Sequence, residues 1–265
     1  MVFSIVYHSE IPPSWRHSET VPIHKGKDLP TSQLDSFRPI SLADTILKLY
    51  TGTIHQSLGS YAESNGLLSE NQYGFRSGRR THEQVLWLQT LIDTAHVDNR
   101  DIRACWIDFR NAFCSVDHKR IIDSMKQQGY EQHFINAVAA LYAPGSTTEV
   151  RTDVGPTPPI PIERGILQGD TLSPLIFAIF LEPLLRKLEL SNKGFAPLSQ
   201  PGEEPWGNAV GAYADDLVLT CATADQMQAQ LQIVNDFCDW SGMSTNNGKC
   251  GYGGWAKNKN WTVRN

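Results

Sequence analysis

Three aspartates carry the strongest chemical signal in the sequence. Asp108 ends the apolar run Ile102–Ile107, and Asp215 and Asp216 stand between two further apolar runs, residues 209–213 and 217–221. The second spacing is a hairpin pattern, with Asp215 and Asp216 at its tip. If the two strand segments are neighbours in one sheet, all three carboxylates meet at one edge. Carboxylates gathered in this way repel, and raise one another's pKa unless a cation neutralises them. The hard, oxygen-preferring ion that suits them is Mg²⁺. Two such ions roughly 3.5–4 Å apart would clamp the attacking and leaving oxygens of a phosphoryl transfer. An Asp-Asp pair at a turn also serves plain turn chemistry, so spacing alone leaves both readings open.

The elements that must position these residues read as a mixture of helices and a few antiparallel strands, an α+β architecture with a sheet covered on one face. Residues 11–39 hold five prolines and little apolar periodicity, and are expected to be extended and irregular. Residues 41–58 read as a helix with Leu42, Ile46, Leu49, Thr53 and Ile54 along one stripe, and residues 81–96 as a second with Val85, Leu88, Leu91 and Ile92 on one face. Asp117 is a helix cap and Gly129 a stop for the apolar set Ile121, Ile122 and Met125. A further helix is expected over residues 134–142, and short strands over 149–152 and 160–163 around a proline-rich turn. Ser173-Pro174 opens a helix reaching about Leu190, with Pro183 as a kink. Residues 192–208 form a Gly/Pro-rich loop. Thr223 caps a last helix through Met227, Leu231, Val234 and Phe237, and Gly242 ends it.

The bulk numbers narrow the field. The chain has 265 residues, 40% hydrophobic and 19% charged, which is ordinary globular composition. The richest apolar run, residues 172–188, is interrupted by Pro174, Glu182, Pro183, Arg186 and Lys187, so it reads as a buried helix rather than a membrane span. Residues 1–7 lack a basic lead and a small-residue cleavage site, which argues against a signal peptide. Five scattered cysteines with no C-x-x-C pair argue for a reducing compartment and against both a disulfide framework and zinc. A net charge of −5 sits awkwardly with gripping a polyphosphate, which takes Lys and Arg.

Around the aspartates, whole segments match a known pattern. Tyr213-Ala214-Asp215-Asp216 resembles the Y-A-D-D box of reverse transcriptases, and Asp108-Phe109-Arg110-Asn111-Ala112-Phe113 resembles their other metal-binding motif. Gly165-Ile166-Leu167-Gln168-Gly169-Asp170-Thr171-Leu172-Ser173-Pro174-Leu175 is similar to the motif that lies between these two. Upstream, Phe37-Arg38-Pro39-Ile40-Ser41-Leu42 and Asn71-Gln72-Tyr73-Gly74-Phe75-Arg76 resemble fingers motifs of the LINE-type and group II intron branches. Gly242 with Asn246 and Lys249 resembles the next palm motif. Six boxes in the right order, over residues 11–251, resemble a non-LTR (LINE-type) retrotransposon reverse transcriptase.

The resemblance implies a right-hand polymerase core with its thumb absent or truncated: fingers over residues 1–100, palm over 101–255, and a truncated tail at 256–265. It implies an RNA-directed DNA polymerase, part of a retrotransposon polyprotein, that takes an RNA template, a DNA primer and dNTPs and uses two Mg²⁺ ions, with Mn²⁺ as a substitute. Asp108, Asp215, Asp216 and Lys249 become the catalytic set, and Asp108, Phe109, Asp215 and Asp216 the metal set. Lys249, by residue type a solvated lysine, becomes the general acid for pyrophosphate. Phe113, by residue type core packing, becomes a steric gate under the sugar. Gln168 and Gly169, otherwise a plain turn, approach the primer terminus or incoming base. Arg38 and Arg76 contact the triphosphate. Lys25, Arg79, Arg80 and Tyr213 contact nucleic acid, with Lys27 beside them. Trp15, Trp87, Trp106 and Trp240 are expected in the core, and His118 at the surface.

One departure is Cys114, where many LINE-type sequences carry a second aspartate. The chain reads as a fragment whose missing thumb and flanks would hold much of the basic surface. Other readings stay open: an inactive relic or co-opted scaffold that binds nucleic acid or protein without catalysis, and a group II intron-type enzyme with maturase function. The resemblance to retrotransposon proteins implies an intracellular, nuclear setting and no membrane. Oligomeric state has no signature in the sequence.

Overall fold

The computed structural model of the protein describes residues 11–26, 28–196 and 209–256. In chain order the elements are β1 (His17–His24), β2 (Phe37–Ala43), α1 (Thr45–Ser64), α2 (Thr81–Val97), β3 (Ile102–Ile107), α3 (Ala112–Ser115), α4 (His118–Gln127), α5 (Gln132–Leu141), β4 (Thr147–Thr152), β5 (Gly155–Pro156), β6 (Ile160–Pro161), α6 (Ser173–Leu190), β7 (Val210–Tyr213), β8 (Asp216–Cys221), α7 (Ala224–Ser241) and β9 (Gly251–Trp255). They form two compact units, one of residues 1–67 and 116–177, the other of 68–115 and 178–265. No helix among the described residues is long and apolar enough to cross a membrane.

The first unit holds a sheet in the order β2-β1-β4-β5, with β6 also on β4. Residues 11–39 are therefore not the irregular lead-in expected from their prolines. They contain a 3₁₀ turn at Pro13–Trp15, all of β1 and the start of β2. Pro22 and Pro39 face each other in the β1–β2 register, past the point where β4 stops pairing with β1 at Thr20, so a missing N–H is tolerated there. Helix α1 begins four residues later than its apolar pattern suggested, because Ser41 to Ala43 belong to β2 and Asp44 caps the helix by accepting from Ile46 N at 2.7 Å. Leu47, Tyr50, Thr51, Ile54, Leu58 and Ala62 form its buried face. Leu42, Ile46 and Leu49 of the expected stripe are exposed instead.

Helices α4 and α5 follow their local signals. The Asp117 carboxylate accepts from Lys119 N and Arg120 N, and Gly129 takes a left-handed φ of +78° after the helix. His118 is half-buried rather than a surface residue, its Nε2 2.7 Å from the Gly165 carbonyl. The burial of a ring that also lies over Tyr142 needs long-range packing that residue type does not announce.

The second unit holds an antiparallel sheet in the order β7-β8-β3-β9. Helix α6, most of which lies in this unit, runs without a break through Pro183. Helix α7 has the Thr223–Gln226 capping box at its start and Gly242 at φ +71° at its end. On α2 the buried residues are Leu91 and Ala95, packed with Ile102 and Phe195, while Val85 of the expected face is 65% exposed. Trp15 is buried, whereas Trp87, Trp106 and Trp240 are half-buried. Cys105 and Cys221 are buried, Cys238 and Cys250 half-buried and Cys114 exposed. Lys27 and most of the 192–208 loop fall outside the described residues.

Candidate active site

Strand β3 lies in the middle of the second unit's sheet, and its register with β8 pairs Ile107 with Leu217. Asp108, the next residue after Ile107, and Asp216, the residue before Leu217, thus leave neighbouring strands at the same edge. Asp215 occupies the two-residue turn that joins β7 to β8, across which Tyr213 pairs with Asp216. The other loop residue, Ala214, has a φ of +58°, the left-handed region in which primed hairpin turns place Gly or Asn.

The loop after α7 is docked beside Asp108. The Asp108 carbonyl accepts from Asn246 N at 2.7 Å, Arg110 N donates to Ser244 O at 2.9 Å, and Phe109 bridges to Thr245. This places the Lys249 ammonium 4.0 Å from an Asp108 carboxylate oxygen, with the lysine side chain 67% exposed. A cavity of about 330 Å³ opens here, walled by Asp108, Asp216, Lys249, Trp106, Val85 and Leu88.

Electrostatics match the geometry. Burial holds the Asp215 carboxyl above the usual range, Asp216 and Asp108 push it further, and Lys249 pulls it back. Asp216 is raised by burial and by Asp108, and again lowered by Lys249. One lysine does not offset three carboxylates, so the edge favours a cation. Among the described residues no group of three or more His, Cys, Asp or Glu side chains is close enough to hold a metal by itself. Mg²⁺ is usually held by one or two carboxylates together with substrate phosphates and water, and the oxygen donors present fit that mode.

Phe113, half-buried on α3, meets Phe75 edge-on at 6.1 Å between ring centroids. The Arg76 guanidinium is 5% exposed and bonds the carbonyl oxygens of Ser69 and Gln72, with Glu70 3.5 Å away. Arg79 pairs with Glu70 and lies over the Tyr73 ring. Arg80 is exposed at the start of α2, and Tyr213 is half-buried at the end of β7. The structure therefore gathers Asp108, Asp215, Asp216, Lys249 and Tyr213 at one edge, and Phe113, Arg76 and Arg79 within the same unit.

The remaining expected site residues belong to the first unit. Arg38 is exposed on β2, and Lys25 donates to the Asp35 carbonyl at 2.7 Å. Gln168 O accepts from Ser41 N at 2.6 Å, and Gly169, at φ +118°, passes so near Ser41 O that a Cβ would lie 2.7 Å from it.

Sequence reasoning missed Gln72 and Glu182. Gln72 is fully buried against the Ala214 turn, and Glu182 is fully buried on α6, where it accepts from Ser69 N and pairs with Arg186. A buried carboxylate in an apolar helix is a visible signal. Gln72 lies in the segment that resembles a fingers motif, but nothing in the residue types around it marks its contact with the turn.

Residues 23–261 match the family model described as reverse transcriptase (RNA-dependent DNA polymerase). Over 248 residues the chain is 30% identical to a Pol polyprotein from the type-1 retrotransposable element R2 of Nasonia vitripennis, covering 93% of this chain and 23% of that protein. It is 29% identical over 209 residues to a probable RNA-directed DNA polymerase from transposon BS of Drosophila melanogaster, covering 78% and 22%. The chain thus spans under a quarter of the length of these relatives. In fold it is similar to apo telomerase from Candida tropicalis truncated from its C-terminal domain, with a TM-score of 0.61 at 14% identity over 94% of this chain and 53% of that one.

Proposed function

Since the chain belongs to the reverse transcriptase (RNA-dependent DNA polymerase) family and has the right-hand polymerase fold, we propose that it adds deoxynucleotides to a primer 3′-hydroxyl on an RNA template. The observation that carries this is the β3–β8 register, which brings Asp108 beside Asp216 with Asp215 on the adjoining turn. Relatives named as a Pol polyprotein of retrotransposable element R2 and an RNA-directed DNA polymerase of mobile element jockey support a retrotransposon setting. A structure of telomerase from Candida tropicalis with a telomeric RNA fragment, at a TM-score of 0.64, is consistent with an RNA ligand for this fold.

Asp108 and Asp215 would hold two Mg²⁺ ions, with Asp216 and the Phe109 position assisting; Mn²⁺ would substitute. When bound, these ions supply charge neutralisation at the attacking and leaving oxygens. Lys249 stands within reach of the same edge and hands a proton to the leaving pyrophosphate. Phe113 gates the sugar. Gln168 and Gly169 contact the primer terminus or incoming base. Arg38 contacts the triphosphate. Arg76 does so by giving up its Ser69 and Gln72 carbonyl partners as well as Glu70 for phosphate. Lys25 in the first unit, and Arg79, Arg80 and Tyr213 in the second, contact nucleic acid. Residues 1–100 act as fingers and 101–255 as palm, and each compact unit draws on both.

Primer extension on an RNA template with dNTPs and Mg²⁺ tests this reading. Wild type extends the primer, and Asp215→Asn loses at least about 100-fold in rate, roughly 3 kcal/mol of barrier. Full rate in Asp215→Asn would sink the assignment.

A further inference from the structure

The turn that carries Asp215 is the least self-supporting part of the site. It has two residues, and the first, Ala214, sits at a positive φ that an L-residue with a Cβ occupies at a cost of about 1 kcal/mol. It also joins the edge strand β7 to β8. Left alone, such a turn would relax, and Asp215 would move with it.

Gln72 meets the turn at that residue. Its side chain is fully buried, and its Oε1 accepts from Ala214 N at 2.9 Å and from Gly74 N at 2.8 Å. Its Nε2 donates to Ala214 O at 3.2 Å. One carboxamide thus brackets the two peptide groups flanking the strained residue. The surrounding backbone follows the same path: Tyr73 N donates to Ala212 O and Ala212 N to Asn71 O, both at 2.8 Å, which covers the open edge of β7. Gly74 completes the approach, because a Cβ there would lie 2.2 Å from Ala214 N.

The strap is anchored at its other end on α6. Ser69 N donates to Glu182 at 3.0 Å, and Asn71 Nδ2 donates to Glu189 at 2.7 Å. The Arg76 guanidinium closes the loop onto Ser69 O.

We propose that Gln72 is a positioning residue for Asp215: through the strap of residues 69–74 it holds the Ala214–Asp215 turn in the shape that presents the carboxylate. Its link to metal binding rests on the polymerase reading above. A buried glutamine away from the turn makes a different prediction, and the same unit supplies one for comparison. Gln230 is also fully buried and donates from Nε2 to the carbonyls of Lys193 and Thr220, both at 3.0 Å, but does not touch the turn.

The test compares wild type, Gln72→Met, Gln230→Met and, should the first fold poorly, Gly74→Ala, which forces the strap off the turn with Gln72 intact. Amide hydrogen exchange at Ala214 needs neither metal nor activity. It should accelerate at least tenfold in Gln72→Met and Gly74→Ala and stay unchanged in Gln230→Met. Mn²⁺ affinity at the site that Asp108→Asn abolishes should fall about tenfold in the same two variants. In primer extension kcat should fall while KM for dNTP stays within about twofold. Unchanged Ala214 exchange in Gln72→Met overturns the clamp. Faster exchange with unchanged Mn²⁺ affinity overturns its positioning role. Should wild type show no Asp108-dependent Mn²⁺ binding with dNTP and primer-template present, the polymerase reading falls and the metal half of the proposal with it, while the exchange arm still decides the clamp.

Discussion

Phe113 illustrates how much a single side chain depends on its neighbours. It is half-buried, and its ring abuts Phe75, a 45% exposed aromatic whose own φ is +63°. A bulky residue in that region is strained, and such strain persists only where the surroundings over-determine it. The strap that holds the Asp215 turn thus also delivers Phe75 to the proposed gate. In the polymerase reading, Phe113→Val should lower discrimination against ribonucleotides by tenfold or more. Competing rNTP and dNTP incorporation on one primer-template measures this, and unchanged discrimination would return Phe113 to simple packing.

At the scale of elements, α6 is more than a core helix. Glu182, fully buried within it, is pushed up to about 7, first by burial, although Ser69 N and Arg186 favour its ionised form. The folded protein therefore keeps a proton that the unfolded chain releases near pH 4.5. Glu182 burial is least costly below that pH, and the stability it allows falls as pH rises from about 4.5 to 7. The full difference is on the order of 3 kcal/mol. Urea unfolding at pH 5 and pH 8 should show wild type losing most of that amount, about 2.5 kcal/mol, relative to Glu182→Gln, in which the titration is gone. Parallel pH profiles for the two proteins would refute it. Since Glu182 binds the strap at Ser69, the helix and the carboxylate turn share one hydrogen-bonded chain.

At the scale of the whole chain, the net charge of −5 bears on how nucleic acid would be held in the polymerase reading. Binding must depend on a few local cations, for which Lys25, Arg38, Arg79 and Arg80 are the candidates, and the global field opposes it. Four phosphate contacts give a log–log salt slope near −3.6 on duplex, so affinity for primer-template should be weak and drop on the order of 100-fold between 50 and 200 mM salt. Fluorescence anisotropy across that range measures the slope, and tight, salt-insensitive binding would contradict the argument.

Much of this was legible in the sequence because its determinants are local. Asp117 as a cap, the Thr223 start and Gly242 stop of α7, Ser173-Pro174 at the head of α6 and the hairpin around Asp215 are all written within a turn or two of the residues concerned. The carboxylate edge needed one further assumption, that β3 and β8 are neighbours, and their register bears it out. Tertiary structure alone decided the rest, since the partners are far apart in the chain. β1 exists as a strand because it pairs with β2 and with β4, whose residues lie about 130 positions away. β9 exists because it pairs with β3, and α1 buries the face that the rest of the fold packs against, which its own apolar pattern did not single out. Gln72 is 142 residues from the turn it holds, and no spacing within its own segment could have told a clamp from an ordinary polar loop residue.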